Sequence, residues 1–374
     1  MQAAAQGYLV FSLTGSSAYL GYVGAMNGLP SWLFMLYGGV IADRIPRRTM
    51  LMITQSGLMV VAFVQAGLVI AGVIQAWHIL VLAFLSGTIN AFDTPARQSF
   101  VVELVDRQHI TNAIALNGTM FNGGAIIGPA LGGLLYAAAG PEWCFSINGL
   151  SFLAVLSALA LMRITTLPAQ ARRSKAVDAI AEGLRYIRSD RLIATLAFTV
   201  FFLNVFAFGL ITLMPAWAVN ILQGDVTTNG LLLSSRGVGA VIGGLTIAAL
   251  SARGVRGKMW FISSLCLPLL MTAFAITRVL PLSLAMMALM GLSLITIMNN
   301  SNALVQSRVP DEMRGRVMAI YSLMFMGGGP LGSLLAGLLA ERIGEPSTAL
   351  FSAGMVAMYV TAVALFRPEV RRAK

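Results

Sequence analysis

The chain has 374 residues, 57% hydrophobic and 10% charged, with a net charge of +11 and a mean hydropathy of +0.82. An ordinary globular chain is about 45–50% apolar and about 25% charged, so a soluble enzyme, a disordered protein and a fibre are all excluded. The positive charge does not point to nucleic acid, because the basic residues lie between apolar runs rather than in one patch.

Met1 to Leu13 is apolar, but as a helix it reaches only about 20 Å, short of the roughly 30 Å hydrocarbon core. It has no basic n-region and no small-residue cleavage site, so it does not read as a signal peptide. It reads as the outer half of a first helix whose inner half is missing. Apolar runs then follow at 18–42, 49–73, 77–97, 112–138, 142–163, 192–217, 228–251, 259–276, 280–303, 315–339 and 347–366. Each has the length a transmembrane helix needs. Cys144 and Cys266 sit far apart inside such runs and read as packing residues.

Basic residues follow every second span, and 22 of the 25 Lys and Arg fall on one side. Arg278 and Arg342 lie opposite, and Arg236 lies inside a span. The positive-inside rule makes the basic side cytoplasmic. With a completed first helix there are twelve spans, and both termini of the full-length form face the cytoplasm. The longest interruption carries Val177, Ile180, Leu184 and Ile187 at helical spacing beside Arg185 and Arg188. That pattern predicts an amphipathic helix on the inner membrane surface, either a tether or a regulatory element. The predicted organisation is an all-α membrane protein with a helical bundle over 1–163, a cytoplasmic linker over 164–191 and a six-helix bundle over 192–374.

The chain also repeats itself at a period of roughly 200 residues, which places a substrate site between two halves near the midplane. Gly39 to Arg48 has a degraded echo at Ala248 to Gly257, with Ala252 in the place of Asp43. Gly128-Pro129-Ala-Leu-Gly132-Gly133 has an echo at Gly329-Pro330-Leu-Gly332-Ser333. The loop from Gly39 through Asp43 and Arg44 to Arg47 and Arg48 resembles the signature loop of the major facilitator superfamily, G-x-x-x-D-R-x-x-R-R. Gly128-Pro129-x-x-Gly132-Gly133 resembles the fifth-helix motif of exporters in that superfamily. Asp93-Thr-Pro95-Ala-Arg97-Gln98 and Pro310-Asp-Glu-Met-Arg314-Gly-Arg316-Val resemble the branch of enterobactin exporters and macrolide-efflux proteins.

That resemblance implies a gate in which Asp43, amid Arg44, Arg47 and Arg48, closes the cytoplasmic end against the start of helix eleven near Arg314 and Arg316. The bland alternative is a loop whose arginines only orient insertion. Gly124, Gly128 and Gly132 share one helical face, which allows close approach of another helix. With Pro129 and Gly133 they are expected, by resemblance, to seal the cavity outward. Gly239 and Gly243, and Gly328 and Gly332, are expected to pack in the same way. Arg236 either attracts an anionic substrate group, or snorkels outward or bonds a carbonyl of a neighbouring helix. Asp93 and Arg97, four apart, either form an ion pair or offer a titrating carboxyl for proton coupling. Gly87 aligns with a glycine of the drug/proton antiporters, but Ala83 replaces the arginine they carry four residues earlier. Gln2, Gln6, Asn27, Asn122, Asn204, Asn299 and Asn300 are candidate cavity amides, or ordinary interhelical hydrogen-bonding groups. Phe201, Phe202, Phe206 and Phe208 near Asn204 suggest an aromatic wall for a large ligand.

There is no Ser-His-Asp arrangement and no phosphate-binding glycine loop, and His78 and His109 stand alone. The expectation is therefore a secondary-active exporter of an amphipathic siderophore or drug in a bacterial inner membrane. It would be driven by a proton gradient without a cofactor or metal, and be monomeric by the family's habit. A non-transporting sensor and a nutrient importer are the competing readings.

Overall fold

An apolar run in a bilayer must satisfy its backbone hydrogen bonds internally, which leaves the helix as the available form for runs of this length. The computed structural model describes residues 1–42, 45–162, 176–250, 254–367 and 369–372. Its helices are α1 Gln2–Thr14, α2 Ser17–Ala42, α3 Arg47–Ile70, α4 Ala76–Glu103, α5 Ile110–Ala139, α6 Pro141–Leu161 and α7 Ala176–Ser189. After these come α8 Arg191–Ile221, α9 Val226–Leu250, α10 Arg256–Ile276, α11 Leu280–Arg308, α12 Asp311–Ile343, α13 Glu345–Phe366 and the short α14 Glu369–Arg372. Among the described residues, 10 helices are long and apolar enough to cross a membrane. The fold is all-α and of the major facilitator type. Asp43 and Arg44 lie outside the described residues, as do Ala252 and Arg253 and the linker over 163–175.

The elements stop where local chemistry stops them. Gly15 closes α1 in the left-handed region (φ 63), which lets the chain reverse into α2 after two residues. Within the second half, α9 and α11 touch backbone to backbone. A methyl group built at Gly239 would stand 1.7 Å from Ala288 O, and one at Gly291 would stand 2.1 Å from Arg236 O. Gly243 meets Leu292 O in the same groove. Packing this close replaces the hydrophobic drive that helices lack in lipid.

Helix α8 is irregular. It turns to π geometry over Asn204–Phe208, tightens over Gly209–Leu213 and widens again over Trp217–Ile221. Gly328 and Gly332 of α12 press against this stretch, at Asn204 Cβ and at Val205 O. Pro215 removes one backbone donor inside it. Such π-turns interrupt helices most often at functional sites.

Helix α7 is amphipathic as the spacing predicts, but its described part rests on protein rather than on the membrane surface. Gly183 lets it approach α12 closely: a methyl there would stand 3.0 Å from Arg316 O. Ile187 is buried, and Leu184 and Tyr186 pack on the same core. Glu182 forms an ion pair with Arg316 at 2.5 Å. The missing side chain at Gly183 lets the apolar face seat on α12. Val177 and Ile180 carry side chains outside the described residues.

Asp190 joins α7 to α8. Its carboxylate accepts from the backbone N–H of Leu192 (2.9 Å) and Ile193 (3.3 Å) and from Arg308 Nε (2.7 Å). Burial pushes its pKa up, but the hydrogen bonds from Arg308, Ile193 and Leu192 outweigh burial and hold it below the ordinary value. A depressed carboxyl contributes stability above its unfolded pKa of about 3.9, and this is lost as pH falls through the folded value. Asp190→Ala is therefore expected to cost about 1 kcal/mol as a lost cap, unchanged between about pH 6 and 8. Thermal unfolding at both pH values checks it.

Candidate functional site: a cavity between two bundles

Between the two bundles lies a cavity of about 610 Å³. Its floor is the irregular stretch of α8, which contributes Asn204, Phe208 and Thr212. Helix α9 contributes Asn229, Leu233 and Arg236 on one face, and α2 contributes Gly24 and Asn27. Gln6 of α1, Gly124 and Pro129 of α5, and Gly329 and Ser333 of α12 complete the wall. The lining is apolar surface with scattered amides and hydroxyls. Thr212 and Ser333 share a hydrogen bond of 2.8 Å across the base.

Arg236 faces this cavity rather than snorkelling to the lipid. Its Cζ lies 5.7 Å from the centroid of the Phe208 ring, within cation–π range. Its Nε is buried without a hydrogen-bond partner among the described residues.

On the face opposite the basic loops, the bundles close over the cavity along two crossings. In one, α5 meets α9: a methyl built at Gly133 would stand 2.8 Å from Val226 O, and one at Gly230 would stand 2.6 Å from Pro129 O. Ser234 Oγ donates to Ile126 O in the same crossing (2.5 Å). In the other, α2 meets α12: Gly21 lies against Ser333 O, Gly28 against Pro330, and Gly337 against Gly21. Carboxylates finish this crossing. Glu341 accepts from Ser16 Oγ (2.8 Å) and Ala18 N (3.1 Å). Glu345 accepts from Ser17 Oγ (2.9 Å) and Asn220 Nδ2 (2.9 Å).

The predicted glycine face on α5 divides in two. Gly128 and Gly132 meet Met1 at the start of α1, and a methyl at Gly124 would meet nothing within 4 Å. The close approach to the other bundle is made one step around the helix, by Gly133 and the carbonyls of Pro129 and Ala125. Gly328 and Gly332 do pack closely, but on α8 within their own bundle.

Asp93 is 0% exposed, and it accepts from Thr54 Oγ1 (2.7 Å), Gln55 Nε2 (2.8 Å) and the Arg97 guanidinium. It ties α3 to α4 and does not line the cavity. Arg48 caps the end of α6, donating to Leu159 O (2.7 Å) and Ala160 O (2.8 Å), where a cation complements the helix dipole. Arg47 opens α3. Arg314 pairs with Asp311 at 2.6 Å and Arg316 with Glu182, so both arginines expected near Asp43 have other acidic partners here. Asp43 and Arg44, and the side chain of Asn122, lie outside the described residues.

Of the remaining amides, Gln6, Asn27 and Asn204 reach the cavity, Gln6 also donating to Ile79 O (3.4 Å). Asn299 is exposed, and Asn300 donates to Thr296 O inside the second bundle (2.9 Å). Gln2 accepts from Asn148. The aromatic wall reduces to Phe208, because Phe202 stacks on Tyr359 (4.6 Å) and Phe206 lies 6.3 Å from Phe351, both on the far side of α8. Asn229, Thr212, Ser333, Glu341 and Glu345 escaped sequence reading. Asn229 falls at the very start of the predicted span 228–251, directly after the polar run Gly224-Asp-Val-Thr-Thr, where nothing in the sequence marks it as a cavity residue.

The transmembrane secretion effector family matches this chain over residues 1–374. The chain belongs to that family. It is a branch of the major facilitator superfamily, in agreement with the Asp43 loop and the Gly128-Pro129 motif. The multidrug efflux pump Tap of Mycolicibacterium fortuitum is 29% identical over 97% of this chain and 90% of its own length. The staphyloferrin A transporter of Staphylococcus aureus is 25% identical, covering 90% of this chain and 84% of its own. The enterobactin exporter EntS of Salmonella choleraesuis is 26% identical over 96% of this chain and 86% of its own. The crystal structure of the nucleoside transporter NupG superposes with a TM-score of 0.71 at 17% identity, covering 98% of this chain and 96% of that one. The chain is a multi-pass membrane transporter of this superfamily and not an enzyme.

Proposed function

We propose that this transporter exports an amphipathic small molecule of the siderophore or drug class by alternating access, in exchange for protons. Its basic face and carboxyl-terminal end lie on the cytoplasmic side of a bacterial inner membrane. The observation that carries the reading is the cavity itself. It sits between the bundles under two glycine crossings on the non-basic face, as a carrier loading from the cytoplasm requires. Its wall of apolar surface with sparse amides suits a ligand with both characters. The named activities of the efflux pump and the two siderophore transporters support the substrate class. Proton drive is inferred from the family resemblance, with Asp93 and Asp43 as its candidate acids. In the opposite state Asp43, with Arg44, Arg47 and Arg48, closes the cytoplasmic mouth near Arg314 and Arg316. Arg316 then exchanges Glu182 for the Asp43 loop.

Inside-out membrane vesicles from cells expressing the protein test this directly. Uptake of a catecholate siderophore or a macrolide is expected, and a protonophore is expected to abolish it. Uptake indifferent to the protonophore removes proton coupling, and uptake of neither compound removes the substrate class.

A further inference from the structure

We infer that Asn229 and Arg236 form the substrate-reading face of this cavity, and that the exported molecule carries one singly charged two-oxygen group, a carboxylate or a catecholate, on an otherwise apolar body. The inference rests on the reading of the cavity as the transport path, and narrows it.

Two observations on one helix face carry it. Asn229 is 1% exposed, and neither its Nδ2 nor its Oδ1 has a hydrogen-bond partner among the described residues. Arg236 lies seven residues on, so both project from the same side of α9, separated by about 10 Å along the axis. Leu233 lines the cavity between them. A buried amide with both ends unpaired calls for a partner from water or a ligand; Gln65 is unpaired at both ends as well, but Asn229 is the one of the two that lines the cavity.

Arg236 raises the same question with a charge. A guanidinium stays protonated in proteins, and within a membrane it needs a counter-charge or water. Among the described residues, no carboxylate lines the cavity. Behind the arginine, Trp217, Met287 and Met290 enclose an apolar recess of only about 10 Å³, room for about one water. The Phe208 face offers the cation a quadrupole, not a hydrogen-bond acceptor. In the empty carrier the 610 Å³ cavity leaves room for water at the guanidinium, and a ligand that displaces that water has to bring its own acceptor.

The geometry narrows its chemistry. The guanidinium fork matches a planar two-oxygen group. One arginine, with no second cationic side chain on the described wall, balances one negative charge and not the two of a phosphate monoester. Asn229, which both donates and accepts, fits a hydroxyl or amide farther along the ligand. Leu233 and Phe208 take the apolar body between them.

Equilibrium binding to the purified protein tests this with three probes: an amphiphile carrying one catechol, an amphiphile carrying one carboxylate and a macrolide carrying a basic amine. Native protein is expected to bind at least one anionic probe more tightly than the macrolide. Which of the two it prefers separates catecholate from carboxylate. Arg236→Gln is expected to weaken the anionic probe about tenfold or more while the cationic macrolide binds no more weakly than before, since a like charge has been removed. Arg236→Lys is expected to fall between, since it keeps the charge and loses the fork. Asn229→Leu, close in volume, is expected to weaken the anionic probe several-fold. Thermal unfolding confirms that each variant folds; should Arg236→Gln fail to fold, Arg236→Lys and Asn229→Leu carry the test. Equal binding by native and arginine variants, parallel loss of all three probes in a folded variant, or native preference for the macrolide overturns the inference. An unchanged Asn229→Leu removes Asn229 from it. The exporter reading is judged separately, by protonophore-sensitive vesicle uptake, and survives any of these results if that uptake persists.

Discussion

Gly230→Leu is expected to abolish transport while leaving the protein folded and open toward the outer face. The glycine sits where α9 crosses α5, and even a methyl there would stand 2.6 Å from Pro129 O and 3.3 Å from Gly133 Cα. A leucine cannot be housed by a rotamer change, because the opposing atoms are backbone. Overpacking of this kind costs about 1–3 kcal/mol or more. The cost falls on one conformation only, since α5 and α9 belong to different bundles and separate when the outer side opens. A shift of that size is roughly tenfold to a hundredfold in the equilibrium. A cysteine placed at Thr212, on the cavity floor, should then react with a membrane-impermeant thiol reagent added outside, and should stay protected in the parent protein. Gly239→Leu is the contrasting case. A methyl at that position would stand 1.7 Å from Ala288 O, and both helices lie in the same bundle. That variant is expected to lower the amount of folded protein rather than redistribute states. Normal transport by Gly230→Leu would show that the α5–α9 crossing is not the outer seal.

The contrast marks how far the sequence could be read. Span positions were legible to within a few residues, because apolar length and basic punctuation are imposed by the bilayer. The largest differences lie at inner ends: α4 runs on to Glu103 and α11 to Arg308, beyond the hydrocarbon, where hydropathy no longer marks a helix. Faces were less legible than spans. Gly128 and Gly132 carry the motif, yet Gly133, one residue and a hundred degrees away, makes the interbundle contact. Only the crossing geometry decides between them. Asn299 and Asn300 look equivalent in sequence, and adjacent positions on a helix point in different directions. One is exposed and the other is buried within a bundle. Long-range pairs were not legible at all. Nothing near Glu182 announces Arg316, and nothing near Ser17 announces Glu345, 328 positions away. Asp93 and Arg97 were legible because a helix fixes the i, i+4 distance by itself.

The Ser17–Glu345 pair supplies the second large effect. Glu345→Ala is expected to release the outer face on the α2–α12 side. Glu345 is 8% exposed, and it holds Ser17 at the start of α2 together with Asn220 of α8. Removing it leaves the buried Ser17 hydroxyl without its acceptor, while the exposed Asn220 amide turns to water. Hydrogen bonds to a charged acceptor contribute about 1.5–3 kcal/mol, so the ratio of outer-closed to outer-open protein should fall roughly tenfold or more. Glu341 accepts from Ser16 and from Ala18 N–H at the first turn of the same helix, where a negative charge also meets the helix dipole. Its greater exposure makes Glu341→Ala the milder change. Glu345→Gln keeps an acceptor oxygen and the side-chain volume and should retain most of the closed population. Labelling of the Thr212 cysteine from outside reads all three variants on one scale. Apparent affinity measured from the cytoplasmic side should fall by the same factor as the closed population, because only that state presents the cavity inward. Outer labelling that does not rise even in the Glu341→Ala, Glu345→Ala double variant would mean the glycine crossings hold the face shut alone. The carboxylates would then only order the α1–α2 turn.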